Sequence, residues 1–418
     1  MTAPTTTSAD RSAPRALRRA GNHSRDGRGR SFAIPTILHY GFRPFFFLAA
    51  LYAGLAIPLW LWMYHSGYAL PGPFSGLDWH VHEMLFGYLA AVIAGFVLTA
   101  IPNWTGRLPL SGVPLAGLVV LWTLGRLASA FVDAPVPAMV ADLAFPAALA
   151  GAVWREVIAG RNWRNAPIAI MLTLFGIANA AHHGEGLGAV PDGAGIRMAL
   201  AVIAMLVALI GGRIVPSFTR NWLAKRGAAR LPASFAALDK TTLAATAVAV
   251  AMWTALPEST VTGLALVAAG GSLAVRLSRW QGLRTWREPI LAILHLGYGW
   301  LAAALALLGL SIVIPAIVPG SSALHALTAG AVGTMTLAVM TRASLGHTGR
   351  ATEADAWTVA IYGAVTLGAI LRVAAPVVGG DYYSLVLICG GGVWSGAFLL
   401  FAARFGPMLF RPRLASPD

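Results

Sequence analysis

The stretch WHVHEMLFGYLAAVIAGFVLTAIPNWTGR, residues 79–107, decides the reading of this chain. It opens with His80, His82 and Glu83, continues as about twenty almost wholly apolar residues, and closes on Pro102-Asn103-Trp104-Thr105-Gly106-Arg107. An apolar run of that length spans a bilayer, so this is a membrane helix with ionisable groups at one mouth.

The rest of the chain agrees. Hydrophobic residues make up 57% of the sequence and charged residues 11%, with a mean hydropathy of +0.69; a soluble domain carries about a quarter charged residues. The composition predicts an all-α polytopic membrane protein. Cys389 is the single cysteine, which excludes an intramolecular disulfide and leaves any metal to His, Met or carboxylate ligands. The net charge of +14 does not point to nucleic acid, because its distribution follows the membrane.

Hydropathy predicts twelve spans, at 44–65, 79–103, 112–132, 136–157, 165–184, 195–217, 239–256, 259–278, 289–314, 322–345, 355–376 and 382–404. Apart from Arg126, Arg197 and Arg372, every Lys and Arg falls in segments on one side, whereas Asp78, Asp133, Glu185, Asp192, Glu258 and Asp381 fall on the other. The positive-inside rule then puts both termini on the cytoplasmic side. Residues 1–40, rich in Ser, Thr, Pro and Arg, read as a disordered basic arm able to touch anionic lipid. Residues 41–407 form the membrane domain and 408–418 a short cytoplasmic tail.

This topology sorts the histidines. His65, His80, His82, His182, His183 and His325 all fall at the acidic, outer ends of spans; His295 is inside a span, His39 and His347 are at the inner face, and His23 is in the arm.

The chain also repeats. A shift of 243 residues places His82 on His325, Gly87 on Gly330 and Thr105-Gly106-Arg107 on Thr348-Gly349-Arg350; with a small gap, Arg126 meets Arg372. Val215-Pro216-Ser217-Phe218-Thr219-Arg220 faintly echoes the end of the second span. Three four-helix units around a pseudo-threefold axis account for these matches.

His80 and His82 are about 200° apart on a helix, so they serve two neighbouring sites, while Glu83 shares a face with His80 and is a candidate ligand, hydrogen-bond acceptor or proton donor. His182 and His183 can splay around an ion, and imidazole suits copper, iron and zinc. The expected pairing puts His82 and His325 on a haem iron, since they occupy matching repeat positions, and leaves His80, His182 and His183 for copper. Arg126 and Arg372, costly inside a membrane, either clamp haem propionates or pair with Asp133, Asp142 or Asp381. A polar helix start among lipid headgroups would account for any one of these histidines, but less readily for the whole set.

GFRPFF at 41–46, WHVHEMLFG at 79–87, IPNWTGR at 101–107 and HALTAGAVGTMTLAVMTRASLGHTGR at 325–350 resemble the NnrS family of bacterial membrane proteins, over nearly the whole chain outside the arm. The resemblance implies a twelve-span inner-membrane protein containing haem b and copper and linked to nitric oxide and denitrification. By analogy alone, twelve helices in three arcs with an H-x-H and a His pair are loosely like subunit I of the haem–copper oxidases. Three functions remain open. One is nitric oxide binding or reduction near the periplasmic face, with Glu83 delivering protons and a quinol or electron-donor protein supplying electrons, since no CxxCH, flavin or nicotinamide motif is present. The others are haem or metal handling that protects iron from nitrosylation without turnover, and twelve-span transport.

Overall fold

Each apolar run is a helix in the computed structural model, which describes residues 34–415. The helices are α1 (Phe42–Ser66), α2 (residues 76–105), α3 (Val113–Phe131), α4 (Pro135–Ala159), α5 (Ala166–Gly186), α6 (Ala194–Ala224), α7 (Ala237–Ala255), α8 (Thr260–Ser278), α9 (Pro289–Val313), α10 (Gly320–His347), α11 (Ala356–Val378) and α12 (Tyr383–Phe410). Eleven are long and apolar enough to cross a membrane. The exception is α7, which packs between α6 and α8 and whose Asp239, Lys240 and threonines lower its hydropathy. The protein is an all-α polytopic membrane protein. Most of the expected basic arm and the last residues of the expected tail, 1–33 and 416–418, lie outside the described residues. Thr36–Leu38 makes one 3-10 turn, with Gly112 N–H donating to Leu38 O at 2.9 Å, and α12 extends the membrane domain to Phe410.

The units α1–α4, α5–α8 and α9–α12 close into a ring: α4 packs on α5, α8 on α9 and α12 on α1. The second helix of each unit, α2, α6 and α10, lies toward the centre. Residues of these three helices alone line a small apolar space between them, from Leu89 to Val97, Ile203 to Ile214 and Val332 to Val339. Each central helix carries a π-helical segment: Glu83–Leu89, Val207–Gly211 and Ala326–Val332. The first and last coincide under the 243-residue shift.

In every unit a side chain from another helix donates to a carbonyl within the π segment, where the backbone ladder is out of α-helical register. Trp122 Nε1 donates to Gly87 O at 3.0 Å, Arg276 Nη1 to Ala208 O at 3.0 Å and Trp394 Nε1 to Ala329 O at 3.2 Å.

The repeated TGR motif is a helix stop. Thr105 and Thr348 hydroxyls donate to Ile101 O at 3.0 Å and Ser344 O at 2.6 Å, and Gly106 (φ 70°) and Gly349 (φ 77°) take the left-handed conformation that ends the helix. In the middle unit Thr219 donates to Val215 O at 2.9 Å in the same way. Arg220 stands where a glycine would end the helix, and α6 runs on to Ala224.

GFRPFF closes the ring. Buried Arg43 at the start of α1 donates through Nη1 to Leu409 O at 2.6 Å and Arg411 O at 2.8 Å, capping the carbonyls at the end of α12. Each charge-assisted bond of this kind contributes roughly 1.5–3 kcal/mol. Arg43→Met is therefore expected to lower the thermal unfolding midpoint by several degrees in detergent, and an unchanged midpoint would contradict this role.

Candidate metal and cofactor sites

At its acidic end α2 starts from Ser75, whose hydroxyl accepts from Asp78 N–H at 3.3 Å, and the next turn sends the two histidines to opposite sides. His82 faces α3, α4 and α5. His80 faces α10 and α11 across a cavity.

On the first side lies a dense polar cluster. Fully buried His82 sets Nδ1 2.9 Å from Glu83 Oε1 and Nε2 3.1 Å from Asp142 Oδ2. His183 Nε2 is 3.1 Å from the same Asp142 oxygen, to which Asn179 also donates at 2.7 Å. Arg126 binds Glu83 Oε2 through Nη1 at 2.7 Å and Asp142 Oδ1 through Nη2, and the Tyr52 hydroxyl donates to Glu83 Oε2. Phe74 lies over the group, its ring stacked 4.4 Å from His82 and 5.3 Å from His182.

Two carboxylates and one guanidinium leave this buried cluster one negative charge in excess. Low-dielectric surroundings make that costly, and a proton on His82 or a bound cation cancels it. The donor set fits a cation: His82, Asp142 and His183 offer ligand atoms within 4.8 Å of one another. His182 sits beside them, ring centroid 5.8 Å from that of His82. Its Nδ1 is held 3.1 Å from Glu185 Oε2, while its buried Nε2 has no hydrogen-bond partner among the described residues. Imidazoles with one carboxylate suit copper or zinc, and the Nδ1–carboxylate contact fixes a ring as metal-site partners do.

On the other side His80 and His325 line one cavity of about 160 Å³, walled by α1, α2, α6, α10, α11 and α12 and mostly apolar. His80 stacks on Trp60 at 4.1 Å and leaves its buried Nδ1 unpartnered among the described residues. His325 Nδ1 donates to Ser321 O at 2.7 Å, which leaves Nε2 as the available lone pair. Arg372 also lines the cavity, and its Nη1 has no hydrogen-bond partner among the described residues.

The repeat explains the contrast. Arg126 and Arg372 correspond, and so do the pockets around them. Glu83, one residue after His82, becomes Ala326, one residue after His325. Asp142 packs on Gly125 beside Arg126, whereas beside Arg372 the small Gly390 packs on Leu371. Both carboxylates of the first pocket are thus missing from the second, which has one guanidinium unsatisfied and room for a ligand.

The geometry corrects the expected pairing. His82 and His325 are equivalent by repeat, so each faces its own unit's pocket rather than the other; His325 shares its cavity with His80. His80 in turn is separated from His182 and His183 by the body of α2, and the imidazole nearest that pair is His82. Arg126 is taken up by Glu83 and Asp142, so it is no propionate clamp, while Arg372 keeps that capacity. Glu83 does not line the cavity. Asp142 was legible only as a partner for an arginine, and its place beside His82 and His183 follows from the packing of α4. Asn179 and Tyr52 carried no signal in the sequence. His65 donates to Leu61 O at 2.8 Å and joins neither site, and His295 pairs with Thr219 at 2.8 Å nearer the basic face.

The profile of the family described as NnrS protein matches residues 36–413. The chain belongs to the NnrS family. That makes it a membrane protein related to the nitric oxide response. No curated protein matches the chain significantly.

Removing Arg126 would leave Glu83 and Asp142 as unpaired buried carboxylates, a change that costs about 3–5 kcal/mol in other buried pairs. Arg126→Met is expected to lose most of the folded, monodisperse protein. Adding Glu83→Gln and Asp142→Asn should restore much of it. If Arg126→Met alone unfolds at the wild-type midpoint, the cluster does not carry the charge balance described.

Proposed function

We propose that this NnrS-family protein holds haem b between His80 and His325, holds a copper ion at His82, Asp142 and His183 with His182 beside them, and binds nitric oxide at the haem. The observation that carries the reading is the outer cavity: two histidines with available nitrogens, apolar walls, and an arginine whose carboxylate partners are absent. Haem brings an iron for the two imidazoles, a flat apolar ring for the walls and propionates for Arg372. When bound, it supplies a ferrous iron with affinity for nitric oxide.

The residues favour binding over reduction. No carboxylate is among the residues lining the cavity. Glu83, held by Arg126, His82 and Tyr52, is a structural acceptor of the neighbouring cluster rather than a proton donor to the haem pocket. Tyr88, the one hydroxyl-bearing aromatic in the lining, is 2.6 Å from Thr336 Oγ1. The apolar space between the central helices shares Leu89 and Val332 with this cavity, which suits a small neutral diatomic approaching through the bundle. On this reading the protein captures nitric oxide or shields haem and copper from it. The basic loops, extended by the arginine-rich arm, face the cytoplasm of a bacterial inner membrane and its anionic lipid. Nucleic acid plays no part. An electron-donor protein or quinol is needed only to set the iron's oxidation state.

Purified variants test the assignment through spectra and metal analysis. His80→Ala and His325→Ala should lose the Soret band, and Arg372→Ala should weaken it. His183→Ala and Asp142→Ala should lose copper while keeping haem. Haem retained at wild-type stoichiometry in both His80→Ala and His325→Ala would overturn the site. Steady nitrous oxide production by the reduced protein would restore the reductase reading.

A further inference from the structure

At the basic ends of the same three central helices lies a second and larger cavity, about 700 Å³, separate from both sites above. The repeat builds it. Arg342 of α10 lies at the position of Thr99 in α2 under the 243-residue shift, and Arg213 of α6 lies at the corresponding position of the middle unit, where Val215 to Arg220 echoes the end of α2. Trp104, Phe218 and His347 form a second such ring. Arg413 completes the lining from the chain end, which Leu414 N–H anchors to Thr348 O at 3.0 Å.

The charge in this vestibule is one-sided. Arg213, Arg342, Arg413 and His347 line it, and none of its lining residues is a carboxylate. The Arg342 guanidinium lies 3.8 Å over the Phe218 ring, a contact that orders it without neutralising it. Neither Arg213 nor Arg413 has an ion pair among the described residues. Glu288, whose charge acts on Arg342, is engaged by Trp222 Nε1 at 3.2 Å and stands outside the lining, as does the exposed Glu353 that follows Thr352. Guanidiniums gathered around a cavity of drug-like size, with aromatic walls and the hydroxyls of Ser217 and Thr352, form a receptor for an oxyanion attached to an apolar body.

We propose that this vestibule binds a phosphoryl-bearing anion from the basic side, its phosphoryl group on Arg213, Arg342 and Arg413 and its apolar part on the walls formed by Phe96, Trp104 and Phe218. The anion is either a soluble phosphate ester or the headgroup of an anionic phospholipid. This site stands independently of haem and copper.

The test uses the full chain in nanodiscs of phosphatidylcholine, titrated calorimetrically with phenyl phosphate. Saturable binding is expected, weakened at least tenfold by Arg213→Gln combined with Arg342→Gln, and largely kept by Arg342→Lys. Arg413→Gln, at an exposed position after the last helix, should weaken it several-fold, while Arg284→Gln in an exposed 3-10 turn on the same face should leave it unchanged. If phenyl phosphate does not bind, but phosphatidylglycerol co-purifies with wild-type protein and is lost from the double and Arg413→Gln variants, the ligand is the lipid. Binding of neither, or binding of either that ignores all these arginine changes, overturns the proposal.

Discussion

An arginine inside a bilayer has to be neutralised, and the arrangement of this protein follows from how two equivalent arginines meet that requirement. Arg126 is satisfied within the chain by Glu83 and Asp142. Arg372 is not: the repeat position of Glu83 is Ala326, and no carboxylate lines the cavity that Arg372 faces. One pocket is therefore a polar cluster whose side chains could ligate a metal, and its counterpart an apolar cavity that, on the proposed reading, a ligand with acidic groups would complete. The H-x-H of α2 reaches both, since two residues on a helix point to opposite sides.

The π-helical segments serve the same division. Each widens one turn of a central helix, and a tryptophan or arginine from another helix donates to a carbonyl of that turn. In α2 and α10 the widened turn begins just after His82 and His325, so these side chains leave the helix where it is locally out of α-helical register. The middle unit keeps the device but spends its arginine differently: Arg276 bridges the α6 carbonyl to Asp239 at 2.8 Å and Tyr298 at 2.9 Å. The histidines of that unit, His182 and His183 of α5, join the polar cluster around His82 rather than a pocket beside Arg276.

Much of this was legible in the sequence. Hydropathy located the spans to within a few residues, since hydrocarbon thickness leaves little freedom, except that α6 and α12 run on past their expected ends; the His–Gly–TGR matches located the repeat. Family membership rested on motifs long enough to be specific, although two of them, GFRPFF and TGR, turn out to be structural, closing the ring and ending helices. The pairing of ligands was not legible. Repeat equivalence suggested that His82 and His325 face each other, but equivalent residues face equivalent pockets, and only packing shows that His80 crosses into the pocket of the other unit. The absence of a carboxylate from the cavity that Arg372 lines is likewise visible only from packing, because nothing in the sequence marks which residues of α11 and α12 meet there.

The most direct test of this divergence is to put the missing acid back. Ala326→Glu places a carboxylate at the repeat position of Glu83, beside Arg372, and the haem content of the purified protein, read from its Soret absorbance against protein concentration, reports the consequence. The account predicts at least a tenfold loss of haem with copper retained, and a smaller loss for Ala326→Gln. Wild-type haem content in Ala326→Glu would contradict it, because the unsatisfied arginine would then have no part in creating the site.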